Sequence, residues 1–190
     1  MELLLFSKQV DLCHAWSYHF RRVPVQIIHG DFYEFYDKEG IDAVVSPANS
    51  FGLMDGGFDY VLVNIFGSYL MQSVQNRIKQ EYDGEQPVGT AMVVPTYFSS
   101  IKYVIHSPTM RTPMIIRGTN NCYLSTRAAL LAAKKNPDIK KVAMTGMGTY
   151  SGGLDLDFAA KQMKVAYDMA HSPMDDITWN SVNELTKRLN

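Results

Sequence analysis

The sequence predicts an α/β protein: a three-layer α/β/α sandwich around a mixed, largely parallel central sheet. Short apolar runs alternate with segments of helical period along most of the chain. Those runs read as continuous stretches of Val, Ile, Leu and Ala rather than as alternating patterns, as strands covered on both faces do. Two of them, Ala43-Val44-Val45 and Val142-Ala143-Met144, end in glycine-rich loops that open into helices.

Leu3 to Phe6 reads as a short strand, and Leu12, Trp16 and Phe20, spaced by four, as one face of a helix. Val25 to His29 and Ile41 to Val45 are further strands. Leu62, Ile65, Phe66, Tyr69, Val74 and Ile78 recur at helical spacing and predict one long amphipathic helix up to about Tyr82, ended by Asp83-Gly84. Val88 to Pro95 and Lys102 to Ser107 are predicted strands separated by a turn. Tyr123, Leu124, Ala128, Leu131 and Ala132 mark a helix stopped before Asn136-Pro137. Lys141 to Met144 is the last strand. Phe158, Met163, Ala166 and Ala170 belong to a helix before Ser172-Pro173, and Trp179 to Leu189 is a final short helix. With no repeat, linker or low-complexity stretch, residues 1–190 are expected to be one domain, in which 1–24 is a strand-helix extension and 172–190 a tail helix.

A chain of 190 residues with 46% hydrophobic and 19% charged residues is long enough to bury a sizeable core and excludes disorder. A net charge of −1 gives no electrostatic case for nucleic acid, and Arg21-Arg22 and Lys140-Lys141 are too short to make a basic surface. Cys13 and Cys122 stand alone, without zinc-ligand spacing, and the start Met1-Glu-Leu-Leu-Leu-Phe lacks the form of a signal peptide. No segment reaches the length of a membrane span. A cytoplasmic protein without metal or cofactor is expected.

The stretch Ser46-Pro-Ala-Asn-Ser-Phe-Gly-Leu-Met-Asp-Gly-Gly-Phe-Asp59 carries the most chemistry. Pro47 holds Ser46 extended, and Gly52, Gly56 and Gly57 allow backbone N–H groups to approach a ligand before a helix whose positive end favours anions. Thr145-Gly-Met-Gly-Thr-Tyr-Ser-Gly-Gly153 repeats this design. In open α/β sheets ligands sit at the carboxyl ends of strands, so the two loops are placed to close on one diphosphate from two sides. Gly146-x-Gly148 is not a dinucleotide fingerprint, since Ser151 stands where the third glycine belongs. His14, His19, His29, His106 and His171 show no ligand pairing, and Asp155 and Asp157 fit a first helical turn.

The pair of loops resembles the macro domain, the ADP-ribose-binding module, with Ser46-Pro-Ala-Asn49 and Gly56-Gly-Phe-Asp59 matching its first ligand loop and Val142 to Gly153 its second. Gly30-Asp31, Gly89 to Pro95 and Ile101 to His106 are weaker matches, and the resemblance spans roughly Val25 to His171. It implies that Asp31, with Phe32, receives the adenine, that Gly56, Gly57, Thr145, Gly146, Met147, Gly148 and Thr149 hold the ligand, that Tyr150 flanks the terminal ribose and that Asn49 contacts its hydroxyls. Residue types alone allow plainer roles: a capping Asp31, an Asx turn at Asn49, a plug at Tyr150.

Asp59, ten positions after Asn49, matches the acid of the hydrolytic members. The resemblance then implies a mono-ADP-ribosyl hydrolase that removes ADP-ribose from a protein, nucleic-acid or small-molecule acceptor, with Asp59 and Asn49 as its catalytic pair. A non-catalytic reader or sink for ADP-ribose or a related nucleotide is the alternative. Asp59 in a first helical turn is expected to be ionised, with its pKa lowered by the helix dipole. Ser46 and Pro47 depart from the family's Asn and Ala, and Asp55 sets a negative charge beside the first loop.

Overall fold

The computed structural model describes residues Met1–Asn190. Six strands form one sheet: β1 (Glu2–Ser7), β2 (Val25–His29), β3 (Ala43–Ser46), β4 (Met92–Pro95), β5 (Tyr103–His106) and β6 (Lys141–Met144). Their order is β2-β1-β6-β3-β5-β4, parallel except for the antiparallel pair β4–β5 at one edge. This is the mixed, mostly parallel sheet that the apolar runs predict. β1 lies inside the sheet, with Leu3 opposite both Val25 of β2 and Val142 of β6, so the first strand is part of the framework.

Alternation of side chains across the strands divides the core in two. Leu3, Leu5, Ala43, Val45, Ile105, Val142 and Met144 face α1 (Val10–His19), α4 (Asn121–Lys135) and α5 (Leu156–His171), which supply Leu12, Trp16, Ala129, Leu130, Ala160 and Met163. Leu4, Phe6, Val44, Val104 and Ala143 face the other way, onto Phe32, Phe35 and the apolar sides of α2 (Gly57–Phe66) and α3 (Tyr69–Tyr82). The last helix, α6 (Trp179–Leu189), sets Leu185 and Leu189 against Tyr123 and Val165, and Arg188 pairs with Asp168 at 2.6 Å.

The long helix expected up to Tyr82 is two helices. Gly67, at φ +90°, ends α2 with its N–H on the Val63 carbonyl, and α3 restarts two residues later. Helical periodicity runs through the break because both helices bury the same apolar stripe, so spacing could not reveal it. β4 starts at Met92 rather than Val88, because Pro87 to Thr90 forms a turn with Gly89 at φ +89°. Arg21 and Arg22 follow α1. They meet Tyr18, His19, Lys161 and Lys164 in a shallow hollow, where Asp157 and Asp168 pair with His19 and Lys164. No helix is long and apolar enough to cross a membrane.

Candidate functional site

Val45 of β3 and Met144 of β6 are the last paired residues of neighbouring parallel strands. The two glycine loops therefore leave the sheet side by side at its carboxyl edge, where ligands of such sheets bind.

The first loop starts as an Asx turn. Asn49 Oδ1 accepts from the N–H groups of Phe51 (3.0 Å) and Leu53 (3.3 Å), and its Nδ2 donates to the Leu53 carbonyl (2.7 Å). Gly52, at φ +64°, serves packing rather than ligand access: a Cβ there would lie 2.7 Å from Val74 Cγ1 and 2.9 Å from Ile78 Cδ1 of α3. Gly56 and Gly57 are different, since a Cβ on either would meet nothing within 4 Å. Gly56 caps α2 without a side chain, and none of the N–H groups from Met54 to Asp59 donates to a protein acceptor.

The second loop carries a longer free run. No backbone N–H from Gly146 to Gly152 donates to a protein acceptor, although Gly146, Met147 and Gly148 are buried. Buried main-chain donors almost always find a partner, so such a run, on the loop neighbouring the one that opens α2, is a set of free donors suited to an anion. The other side of these glycines is filled: a Cβ on Gly148, at φ +77°, would lie 2.5 Å from Ile116 Cδ1, and one on Gly146 2.7 Å from Leu12 Cδ2. Met147 is wholly buried and Tyr150 is 82% exposed on the rim.

A strap from Met110 to Arg117, not singled out by the sequence reading, ties the loops together. The Ser50 N–H donates to the Arg111 carbonyl (3.0 Å), and the Arg111 guanidinium lies over the Phe51 ring at 5.0 Å. At its other end the Ile116 N–H donates to the Gly152 carbonyl (2.9 Å) and Arg117 Nε to the Gly153 carbonyl (2.6 Å). The available signal was Met114-Ile115-Ile116, an apolar run between two arginines outside any helix or strand.

Asp59 is only 7% exposed, and Ser46 Oγ donates to its Oδ1. Burial pushes its pKa up to about 7; the Ser46 hydrogen bond lowers it and the Asp55 charge raises it further. This corrects the expectation of a lowered pKa: desolvation of a buried carboxylate outweighs the attraction of the helix end. Ser46 thus occupies the family's amide position with a hydroxyl held on the acid. On the next strand, opposite Ser46, His106 is fully buried with Nδ1 2.7 Å from Gln86 Oε1 and Nε2 unpartnered, and burial pulls its pKa down to about 3.

At the far side of the sheet, Asp31 caps a short 3-10 turn by accepting from the Tyr33 N–H at 3.3 Å. Its other oxygen lies 2.5 Å from Lys8 Nζ, and that hydrogen bond holds the Asp31 pKa below the usual carboxylate range. The Phe32 ring is 2% exposed and stacked on Phe6 at 4.9 Å. The Phe32 ring is therefore committed to the core. Among the predicted residues, Asn49, Gly56, Gly57, Asp59 and the Thr145 to Tyr150 loop share the edge of β3 and β6, while Asp31 stands two strands beyond β6.

A doubly covered, largely parallel sheet with two adjacent loops of free amide donors at its carboxyl edge is an arrangement suited to an anion. The chain belongs to the macro domain family, which it matches over residues 45–163. It is 36% identical over 122 residues to an uncharacterized protein of Aquifex aeolicus, covering 64% of this chain and 70% of that one. An uncharacterized protein of Aeropyrum pernix is 32% identical over 129 residues, 68% of this chain and 65% of its own length. Among solved structures, the macrodomain of Mycobacterium tuberculosis DarG superposes with a TM-score of 0.60 at 20% identity, covering 77% of this chain and 90% of that one. A variant of the Oceanobacillus iheyensis macrodomain with ADPR does so with a TM-score of 0.61 at 17% identity, covering 80% and 87%. At such identities these two likenesses speak for the fold.

Proposed function

We propose that the chain binds ADP-ribose across the carboxyl edge of its sheet and hydrolyses the bond between the terminal ribose and an acceptor. The diphosphate lies on the free amides of Met54 to Asp59 and Gly146 to Gly152, the adenine reaches toward Asp31, and the terminal ribose sits between Tyr150 and Asp59. The observation that carries the binding is the pair of free N–H runs on neighbouring loops. The chemistry rests on Asp59, whose pKa of about 7 leaves a useful fraction ionised at neutral pH and makes it a far better base than an exposed carboxylate. Ionised Asp59 takes a proton from water as the water oxygen bonds to the anomeric carbon. The acceptor departs with the electron pair of the broken bond, through the oxocarbenium-like state that a nearby anion stabilises.

One observation favours the reader or sink instead: every polar atom of the Asn49 amide is engaged within its own loop. Calorimetric titration with ADP-ribose tests the site. A release assay on glutamate-, arginine- and nucleobase-linked ADP-ribose tests the chemistry. Asp59→Ala is expected to keep most of the affinity and to lose about a hundred- to ten-thousand-fold in release, the usual range for general acid–base help. Wild-type protein that binds but releases nothing from any of the three substrates leaves the reader or sink.

A further inference from the structure

Lys8 follows β1, and the sheet order sets β1 between β2, which leads to Asp31, and β6, which leads to the second loop. Neighbouring strands lie about 4.8 Å apart, so the carboxyl end of β1 is the ground any ligand crosses in reaching from one to the other. The ammonium of Lys8 is largely exposed and held at Asp31. Its pKa is raised, first by the hydrogen bond to Asp31 and then by that residue's charge. Asp31 thus has one oxygen on the Tyr33 N–H and the other on Lys8, and an incoming base needs one of them.

We propose that Lys8 is a ligand-binding residue of the nucleotide site: when an adenine amine takes its place on Asp31, the ammonium swings over β1 and pairs with the diphosphate. The inference rests on the ADP-ribose reading above. A lysine suits the exchange, because its long stem and point charge serve two partners in turn without fixed geometry. The site would then select nucleotides that carry phosphate over the bare nucleoside.

The test is titration of ADP-ribose into wild type, Lys8→Met, Lys8→Arg, Asp31→Ala and the Lys8→Met/Asp31→Ala double variant at low and high salt. Lys8→Met is expected to bind roughly three- to thirtyfold more weakly, between the effect of an exposed ion pair and that of a charge-assisted hydrogen bond. The loss should shrink at high salt, Lys8→Arg should keep most of the affinity, and the loss should persist in the Asp31→Ala background. Unchanged or tighter binding by Lys8→Met, or a loss that vanishes once Asp31 is gone, would overturn the proposal, because Lys8 would then act only on Asp31. Wild-type protein that fails to bind ADP-ribose overturns the underlying function instead. Thermal melts of each variant establish that it is folded.

Discussion

The two glycine loops look alike in sequence and differ in what their glycines do. In the first, Gly56 and Gly57 stand in open space at the start of α2, where a Cβ on either would meet nothing within 4 Å. In the second, Gly146, Gly148 and Gly152 are crowded on the side where a Cβ would grow, by Leu12, by Ile116 and by the loop's own backbone. At Gly56 and Gly57 the first loop is bare on an open side; the second is kept bare so that the strap and α1 can press it into shape. Both leave runs of amides free, but one run is an open helix end and the other a loop braced from behind.

Gly148→Ala should break the second loop. It adds a left-handed backbone conformation that only glycine adopts freely to a contact with Ile116, a combined cost of about 2–4 kcal/mol. In a chain of this size that corresponds to a fall in Tm of roughly 4–16 °C, with ADP-ribose binding lost alongside. A melt within a degree of wild type would mean that the strap yields and the loop is not braced. Gly56→Ala should do the reverse. With an extended backbone and no neighbour, its stability should stay within about 0.5 kcal/mol of wild type, while ADP-ribose affinity falls because the new methyl projects over the free amides. Unchanged affinity would move the diphosphate away from the first loop.

The contrast also marks what the sequence could and could not convey. Lys141–Met144 was legible because its interior is apolar throughout and a glycine loop follows it, and the edge strand Val25–His29 because Pro24 and Gly30 bound its Val and Ile residues. The two loops stood out in the sequence by their glycines and their resemblance to the macro domain. Gly52 and Gly56 could not be told apart, because only the approach of α3 decides which is packed. Nor could the ionisation of Asp59. Its position in the first turn argues for a lowered pKa, and the burial that reverses this comes from the layers closing over it. Lys8, twenty-three positions before Asp31, was invisible for a similar reason: the strand that carries it is threaded into the middle of the sheet.

The claim that the carboxyl edge is catalytic is tested most directly by the pH dependence of ADP-ribose release under single-turnover conditions. If ionised Asp59 takes the proton from water, the rate rises with pH as its carboxyl titrates, with a midpoint near 7, and levels off above it; Asp59→Asn stays folded and binds but shows no such rise. A wild-type rate that is flat from pH 5 to 9, or an Asp59→Asn variant that releases ADP-ribose with the wild-type profile, would contradict the account.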